Sequence, residues 1–389
     1  MKKIILLLYI LAIAATGFCQ CLTTEDANNT ISSCKQSGST DTEDSRTSNT
    51  IVAQAQKWMV SIFTAVMDPA IKKTKGLRGT WSGSVKITRD EGLTPYKMYS
   101  IMQELGCNKS KKLYEKDESG VRISFCINSI ADIAKAAQHT EYVLIKKSTE
   151  EKSFFDKVNG RQLYLLDQPT VSEQYAGFAY YKKEENGNKN IVVDKEGIPL
   201  FLPVSIKEIL LLNKANCTVQ MNGQNKMYTD FINQGVEGYL AQMDLANYEK
   251  TFGKEAAQKA KADYIKTYND QVTGYKKMIE DNIFKKWIAI IDAYLKKSSA
   301  AQLARPCIVY NDFFLDDKPI TDAMFLDNPA NGMQYVTINP AYSNKNNPIA
   351  PQFIVVQTEI NSRSAVSLSQ KKVFEDSIDF KKLQAMLLK

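Results

Sequence analysis

The chain has 389 residues, of which 44% are hydrophobic and 24% are charged. This composition is typical of a globular protein with room for two domains. Lysine and arginine exceed aspartate and glutamate by seven, but the excess is spread thinly and no zinc-finger or RNA-binding motif occurs. Because nucleic-acid binding needs a clustered basic face, the sequence argues against a nucleic-acid partner.

The N-terminus predicts an exported protein. A short basic start precedes an apolar run over residues 4–15, which is too short for a spanning helix of roughly 20 residues and is typical of a signal peptide. We place cleavage after Cys19, so that residues 1–19 are removed and no transmembrane segment remains. The expected location is periplasmic or extracellular. A lipid-anchored envelope protein is less favoured, because Phe18 is too bulky to precede a lipidated cysteine.

Six cysteines remain after the predicted cleavage, and oxidising compartments favour disulfides. Sequence alone cannot choose among the pairings, and buried thiols that pack as small apolar residues are the alternative. No C-x-x-C motif is present and His139 is the only histidine, so we expect no metal site and no cofactor. The neighbourhoods that we single out for disulfides are Cys21 with Cys34, Cys107 with Cys126, and Cys217 with Cys307.

The order of strand-like and helix-like segments along the chain predicts an α+β fold with a mixed or antiparallel sheet, packed helices and a long inserted α-helical hairpin. Strands and helices alternate without the steady rhythm of parallel α/β proteins. Residues 20–50 hold almost no large apolar side chain and are interpreted as a disordered tether. The remaining segments are an α+β domain over 51–222, the helical hairpin over 223–300, and a β-rich segment with a C-terminal helix over 301–389, which completes the first domain.

Two local patterns carry specific predictions. Residues 94–106 are predicted to form a helix, because Thr94 can cap it, Gly106 can end it, and apolar residues recur at helical spacing between them. Farther along, Glu196-Gly197 is predicted to turn the chain. Ser205 with Glu208 then forms a capping box that starts the next helix.

The hairpin segment raises the question of a binding arm. No proline occurs from residue 226 to 298, and Gly253 is the expected joint between two long helices. Tyr264, Tyr268 and Tyr275 lie on one helical face. This stripe either packs within the hairpin and against the body, or forms an arm that binds an envelope protein or a glycan.

No catalytic motif of a known class is present in the sequence. G-x-S-x-G, H-E-x-x-H, Walker and G-x-G-x-x-G patterns are absent, and a Cys126–His139 dyad is disfavoured because exported cysteines tend to be oxidised. Four aspartates crowd one loop region, and a glycosidase needs two carboxylates about 5 to 10 Å apart. A solvated, turn-rich loop is the simpler interpretation. The four aspartates are Asp312, Asp316, Asp317 and Asp322.

These observations predict a non-catalytic binding protein or cell-envelope interaction protein. The alternative is a secreted, glycosidase-like hydrolase that uses the carboxylates of the acidic loop.

Overall fold

The computed structural model describes residues 23–42, 49–85, 92–117, 119–137, 157–158, 161–167, 174–175, 177–182, 189–310, 313, 315–328, 332–360 and 364–387. The chain divides into two compact units. We call the first the sheet unit; it comprises residues 1–135, 168–202 and 338–389. We call the second the hairpin unit; it comprises residues 136–167 and 203–337. The predicted signal peptide lies outside the described residues.

Helices and strands both occur in quantity, which confirms the α+β class. The helices are α1 (Thr24–Asn29), α2 (Asn49–Ile62), α3 (Asp68–Ile71), α4 (Ile206–Asn233), α5 (Gly235–Leu240), α6 (Leu245–Phe252), α7 (Lys254–Glu280), α8 (Ile283–Lys297), α9 (Ala300–Ala304), α10 (Ala365–Ser377) and α11 (Phe380–Ala385). The strands are β1 (Ser33–Thr42), β2 (Leu77–Val85), β3 (Tyr96–Cys107), β4 (Leu113–Glu115), β5 (Val121–Ile127), β6 (Lys135–Ala136), β7 (Lys157–Val158), β8 (Arg161–Asp167), β9 (Gln174–Tyr175), β10 (Phe178–Lys182), β11 (Lys189–Val193), β12 (Phe201–Pro203), β13 (Ile308–Val309), β14 (Met333–Ile338) and β15 (Ile354–Ile360).

The sheet unit is built on a mixed sheet in the order β1-β2-β3-β5-β15-β11-β10-β9, with β4 paired to β3. Strand β1 runs parallel to β2, and the other pairs are antiparallel. Apolar side chains from one face of this sheet form a core with side chains of α2, α10 and α11. Trp81, Phe125 and Phe374 are among its fully buried members. Burial of such side chains away from water is the main stabilising contribution.

The predicted tether is wrong for residues 23–42. Helix α1 begins with a capping box in which Thr23 and Asp26 satisfy each other's backbone N–H groups. Strand β1 then pairs with β2 along its length. A strand at the edge of a sheet gains its hydrogen bonds from the backbone, so a polar sequence is compatible with it. Composition therefore underestimated the order of this segment.

The predicted helix over residues 94–106 is wrong, since β3 occupies this segment between β2 and β5. Alternate residues of β3 are buried, including Tyr96, Met98 and Met102. A spacing of four residues fits the strand period of two as well as the helix period of 3.6, so the apolar pattern was ambiguous. Gly106 does not end a helix. A Cβ atom at this position would lie 2.6 Å from the Tyr114 ring, so glycine lets β4 pack closely.

The hairpin is present, but it begins earlier than predicted and its return arm is interrupted. Helix α4 is the outgoing arm and packs against both α7 and α8, while α5 and α6 connect the arms. The Ser205–Glu208 capping box starts α4, as predicted. Gly253, with φ of 87°, joins α6 to α7, so the predicted joint is present. Helix α6 has only 8 residues, however, so the expectation that Gly253 joins two long helices is wrong. Asn282 accepts a hydrogen bond from the Phe284 N–H and starts α8, which divides the return arm.

A second, smaller sheet belongs to the hairpin unit. Strand β14 pairs antiparallel with β8 and with β13, and β7 pairs with β8. The prediction that residues 301–389 complete the first domain is therefore wrong for residues 301–337, which belong to the hairpin unit. Of the helices in the described ranges, none combines the length and apolar character needed to cross a bilayer.

The cysteine pairs proposed from sequence are not disulfides. Cys34, Cys126, Cys217 and Cys307 are all buried thiols, so each of the three neighbourhoods contains at least one cysteine that is not oxidised. Burial accounts for this state, because a thiol packed as a small apolar side chain is shielded from exchange. Cys107 is not among the free thiols, and Cys21 lies outside the described residues.

Candidate functional site

The acidic loop predicted from sequence is attached to the hairpin unit by its carboxylates. The Tyr294 hydroxyl donates to Asp322 over 2.7 Å, and the Trp287 indole N–H donates to Asp317 over 3.3 Å. Asp316 accepts from the Lys318 backbone N–H at 2.9 Å. Asp312 lies outside the described residues. The three described aspartates are exposed and bonded to nearby groups, an arrangement that fixes a loop.

The tyrosines proposed as a partner-binding stripe contact the hairpin itself. Tyr268 is buried, its hydroxyl donates to the Ile232 carbonyl oxygen over 2.8 Å, and its ring stacks on Phe231 with centroids 5.3 Å apart. Tyr275 stacks on Tyr228 at 4.8 Å. Tyr264 is half-buried on α7. These contacts account for most of the apolar stripe within the hairpin, which is the simpler of the two interpretations.

A pocket in the sheet unit is the candidate ligand site. It has a volume of about 340 Å³ and is lined by residues 177–178, by the turn at residues 194–199, and by Lys381 and Gln384 of α11. We call it the turn pocket. Its volume lies at the lower end of the range typical of small-molecule sites, about 300 to 1,000 Å³.

The turn that forms the wall of the turn pocket is held by hydrogen bonds to the side chains of Tyr342 and Asn339. The chain leaves β11 at Asp194 and reverses at Gly197, where φ is 71°, a backbone conformation that favours glycine. The buried Tyr342 hydroxyl donates to the Ile198 carbonyl oxygen over 2.6 Å and accepts from the Lys195 N–H at 2.9 Å. The Asn339 amide donates to the Pro199 carbonyl oxygen over 3.0 Å. These bonds preorganise the turn.

Helix α11 closes the opposite side. The Gln384 amide donates to the Asp194 carbonyl oxygen over 2.9 Å. The Lys381 ammonium donates to the Gln384 amide oxygen over 3.1 Å, lies 3.5 Å from a Glu196 carboxylate oxygen, and sits 5.7 Å from the centre of the Phe178 ring. The rim charges of Lys381 and Glu196 therefore compensate each other.

Asp194 is the unusual charge of the turn pocket. Burial raises the pKa of its carboxyl to about 6, opposed only by a hydrogen bond from its own backbone N–H. In the described part of the chain no lysine or arginine forms a salt bridge with it, and neither Lys195 nor Lys381 lowers its pKa. A desolvated carboxylate without a cation is held at a cost in free energy, which is a feature that functional sites often share.

Lys195 projects away from this carboxylate. Its ammonium donates to the Ala341 carbonyl oxygen over 2.9 Å and to the Gln352 amide oxygen over 2.7 Å, and it lies 5.2 Å from the centre of the Tyr342 ring. Burial lowers the pKa of this ammonium. Burial and the charge of Asp194 raise the pKa of Tyr342, so its hydroxyl keeps the proton that it donates to the turn.

Metal binding has no support among the described residues, where no group of three or more histidine, cysteine, aspartate or glutamate side chains is placed to hold an ion. His139 of the disfavoured Cys126–His139 dyad lies outside these residues. The Cys126 thiol is buried and donates to the Gln357 amide oxygen over 3.4 Å.

Sequence reasoning identified the turn at Glu196-Gly197 but missed the pocket beside it. The local signal was a cluster of charges, Asp194 to Glu196, directly after an apolar strand. Lys381 and Gln384 come from a helix almost two hundred residues later, and only the fold brings that helix to the turn. The local sequence does not show whether a half-buried carboxylate such as Asp194 is paired with a cation in the fold.

Comparison of the chain with protein-family models, with curated protein sequences and with solved structures finds no match. The interpretation of the turn pocket therefore rests on the residues of this chain.

Proposed function

We propose that the protein is an exported, non-catalytic binding protein whose turn pocket holds a small polar ligand. The observation that carries this proposal is the half-buried carboxylate of Asp194 on a preorganised turn, for which the described residues provide no cation. Binding sites use a few well-placed polar groups to orient a ligand, and preorganisation lowers the free-energy cost of forming the complex. The predicted signal peptide and the expected periplasmic or extracellular location are consistent with a role in the cell envelope.

Binding can be tested by nuclear magnetic resonance on the uniformly ¹⁵N-labelled mature chain. A panel of monosaccharides, amino acids and small amines would be added one at a time, and amide shifts followed at the Gly177 and Gly197 signals. We expect at least one compound to shift these signals in a saturable way. Asp316→Asn, which alters an exposed aspartate of the acidic loop, is the matched control and should respond as the unmodified chain does. A panel that leaves the pocket signals unmoved would refute the proposal.

A hydrolase is the second candidate, and one observation favours it. Asp194 and Glu196 both line the turn pocket, and a glycosidase combines an acid of raised pKa with a second carboxylate. Against it, Glu196 is exposed and compensated by Lys381. Release of nitrophenol from nitrophenyl glycosides, abolished by Asp194→Asn, would favour the hydrolase. Equal background rates in the two proteins would remove it.

A further inference from the structure

One carboxylate of the turn pocket, that of Asp194, has no cation beside it among the described residues. Four ionic side chains line it. Lys381 and Glu196 compensate each other at the rim, and Lys195 is directed to the carbonyl oxygen of Ala341 and the amide of Gln352. Among the described residues, Asp194 is the one of the four ionic side chains with neither an ion pair nor a hydrogen bond to another residue.

The hydrogen-bonding groups point to the same kind of ligand. The side-chain nitrogens that line the turn pocket already donate to protein oxygens: Gln384 to the Asp194 carbonyl, and Lys381 to the Gln384 amide oxygen. Within the described part of the chain, in contrast, the Asp194 carboxylate accepts only from its own backbone N–H. A carboxylate that accepts from no other described residue is complementary to a ligand that donates hydrogen bonds.

Resting on the proposed function, we infer that the ligand of the turn pocket is a small organic cation whose protonated amine pairs with the Asp194 carboxylate. A hydroxyl group could also donate to the Asp194 carboxylate, but an ammonium adds the attraction of opposite charges to the hydrogen bond. An ammonium also compensates the charge that burial leaves isolated.

Binding of such a cation is coupled to the ionisation of Asp194. In the described ranges, the other charged or titratable groups that line the turn pocket or contact its turn are Lys195 and Glu196 on the turn, Tyr342, and Lys381 on α11. Asp194, with a pKa of about 6, changes its charge between pH 5 and 7.5. The affinity for a cation should therefore fall as the pH decreases through 6.

The inference can be tested with two probes of the same shape, trans-4-aminocyclohexanol and trans-1,4-cyclohexanediol, which differ by an ammonium in place of a hydroxyl. Affinities would be measured by isothermal titration calorimetry on the full mature chain at pH 7.5 and pH 5. At pH 7.5 we expect the amine to bind about tenfold more tightly than the diol. At pH 5 this preference should largely disappear.

Asp194→Asn keeps the shape of the side chain and removes its charge, so it should abolish the preference at both pH values. Asp316→Asn is the control and should leave the preference intact. Equal affinities for the two probes, or no binding of the amine, would overturn the inference. The proposed function is judged separately, by whether any member of the nuclear magnetic resonance panel moves the pocket signals. If a neutral compound shifts the pocket signals and the amine shows no preference, the proposed binding function is supported and the inferred cation is rejected.

Discussion

The acidic loop of the hairpin unit and the turn pocket of the sheet unit both present carboxylates, but the two regions use them differently. Asp322 accepts from Tyr294 and from the Gln302 amide, so its interactions are made within the protein. Asp194 has comparable chemistry, yet its carboxylate lacks a described partner beyond its own backbone. The difference teaches that residue type and clustering do not identify a binding carboxylate. Whether the fold has already satisfied the group is the better criterion.

The comparison would fail if a carboxylate with all its hydrogen bonds made could be removed without loss of stability. We expect the largest loss in the free energy of unfolding at Glu104. Glu104 is buried, and its carboxylate accepts hydrogen bonds from the hydroxyls of Ser364 and Ser367. The Lys116 Nζ atom lies 3.5 Å from the Glu104 Oε2 atom. These contacts lower its pKa against the opposing effect of burial. We expect Glu104→Leu to lower the free energy of unfolding by about 3 kcal/mol, because three polar groups lose their partner.

Urea unfolding followed by circular dichroism would measure this loss. Glu115→Leu, at an exposed position of β4, is the matched control and should change the free energy of unfolding by less than about 0.5 kcal/mol. A loss below about 1 kcal/mol for Glu104→Leu would contradict the structural role that we assign to this carboxylate.

For the Asp194 carboxylate, we expect removal of the charge to increase the free energy of unfolding rather than to lower it. The folded-state pKa of Asp194 is about 6, above its ordinary value of 3.8, so the folded state binds this proton more tightly. The associated stability is fully present below pH 3.8 and is lost as the pH rises through 6. Asp194→Asn should therefore increase the free energy of unfolding at pH 7.5 by about 1 kcal/mol, after allowance for solvent screening of a half-buried group.

The pH profile of the difference between Asp194→Asn and the unmodified chain sharpens this prediction. The difference should be close to zero near pH 4, grow through the region of pH 6 and level off above it. Urea midpoints measured at half-unit intervals of pH would show this. A difference that is the same at pH 4 and pH 7.5 would mean that Asp194 is not the titrating group.

The smallest effect is expected at the acidic loop, where exposed groups contribute little. Asp322→Asn should lower the free energy of unfolding by about 0.5 to 1 kcal/mol, because Tyr294 keeps a weaker, neutral acceptor. A double-mutant cycle with Tyr294→Phe isolates the pair, and Asp316→Asn is the control with less than about 0.5 kcal/mol. A coupling energy of zero would place Asp322 among free surface charges.

Sequence reasoning predicted some elements correctly because their signals are local. The capping box at Ser205 and Glu208 and the joint at Gly253 depend on neighbouring residues alone, and both occur where expected. The α+β class followed from the mixture of strand-like and helix-like segments. The helix predicted over residues 94–106 was wrong because its apolar spacing fits both the helix period and the strand period. Only pairing with β2 and β5 decides between them.

What the sequence by itself determined, therefore, is the secondary structure of strongly marked segments, the fold class and the residue types available for chemistry. The tertiary structure decided which charges meet. It placed Tyr268 and Tyr275 against α4 and attached Asp317 and Asp322 to α8. It also brought Gln384 to the backbone of Asp194, while no described cation pairs with the Asp194 carboxylate. The physical reason is that desolvation and the pairing of charges depend on groups distant in sequence, so a local pattern cannot encode whether a carboxylate is satisfied.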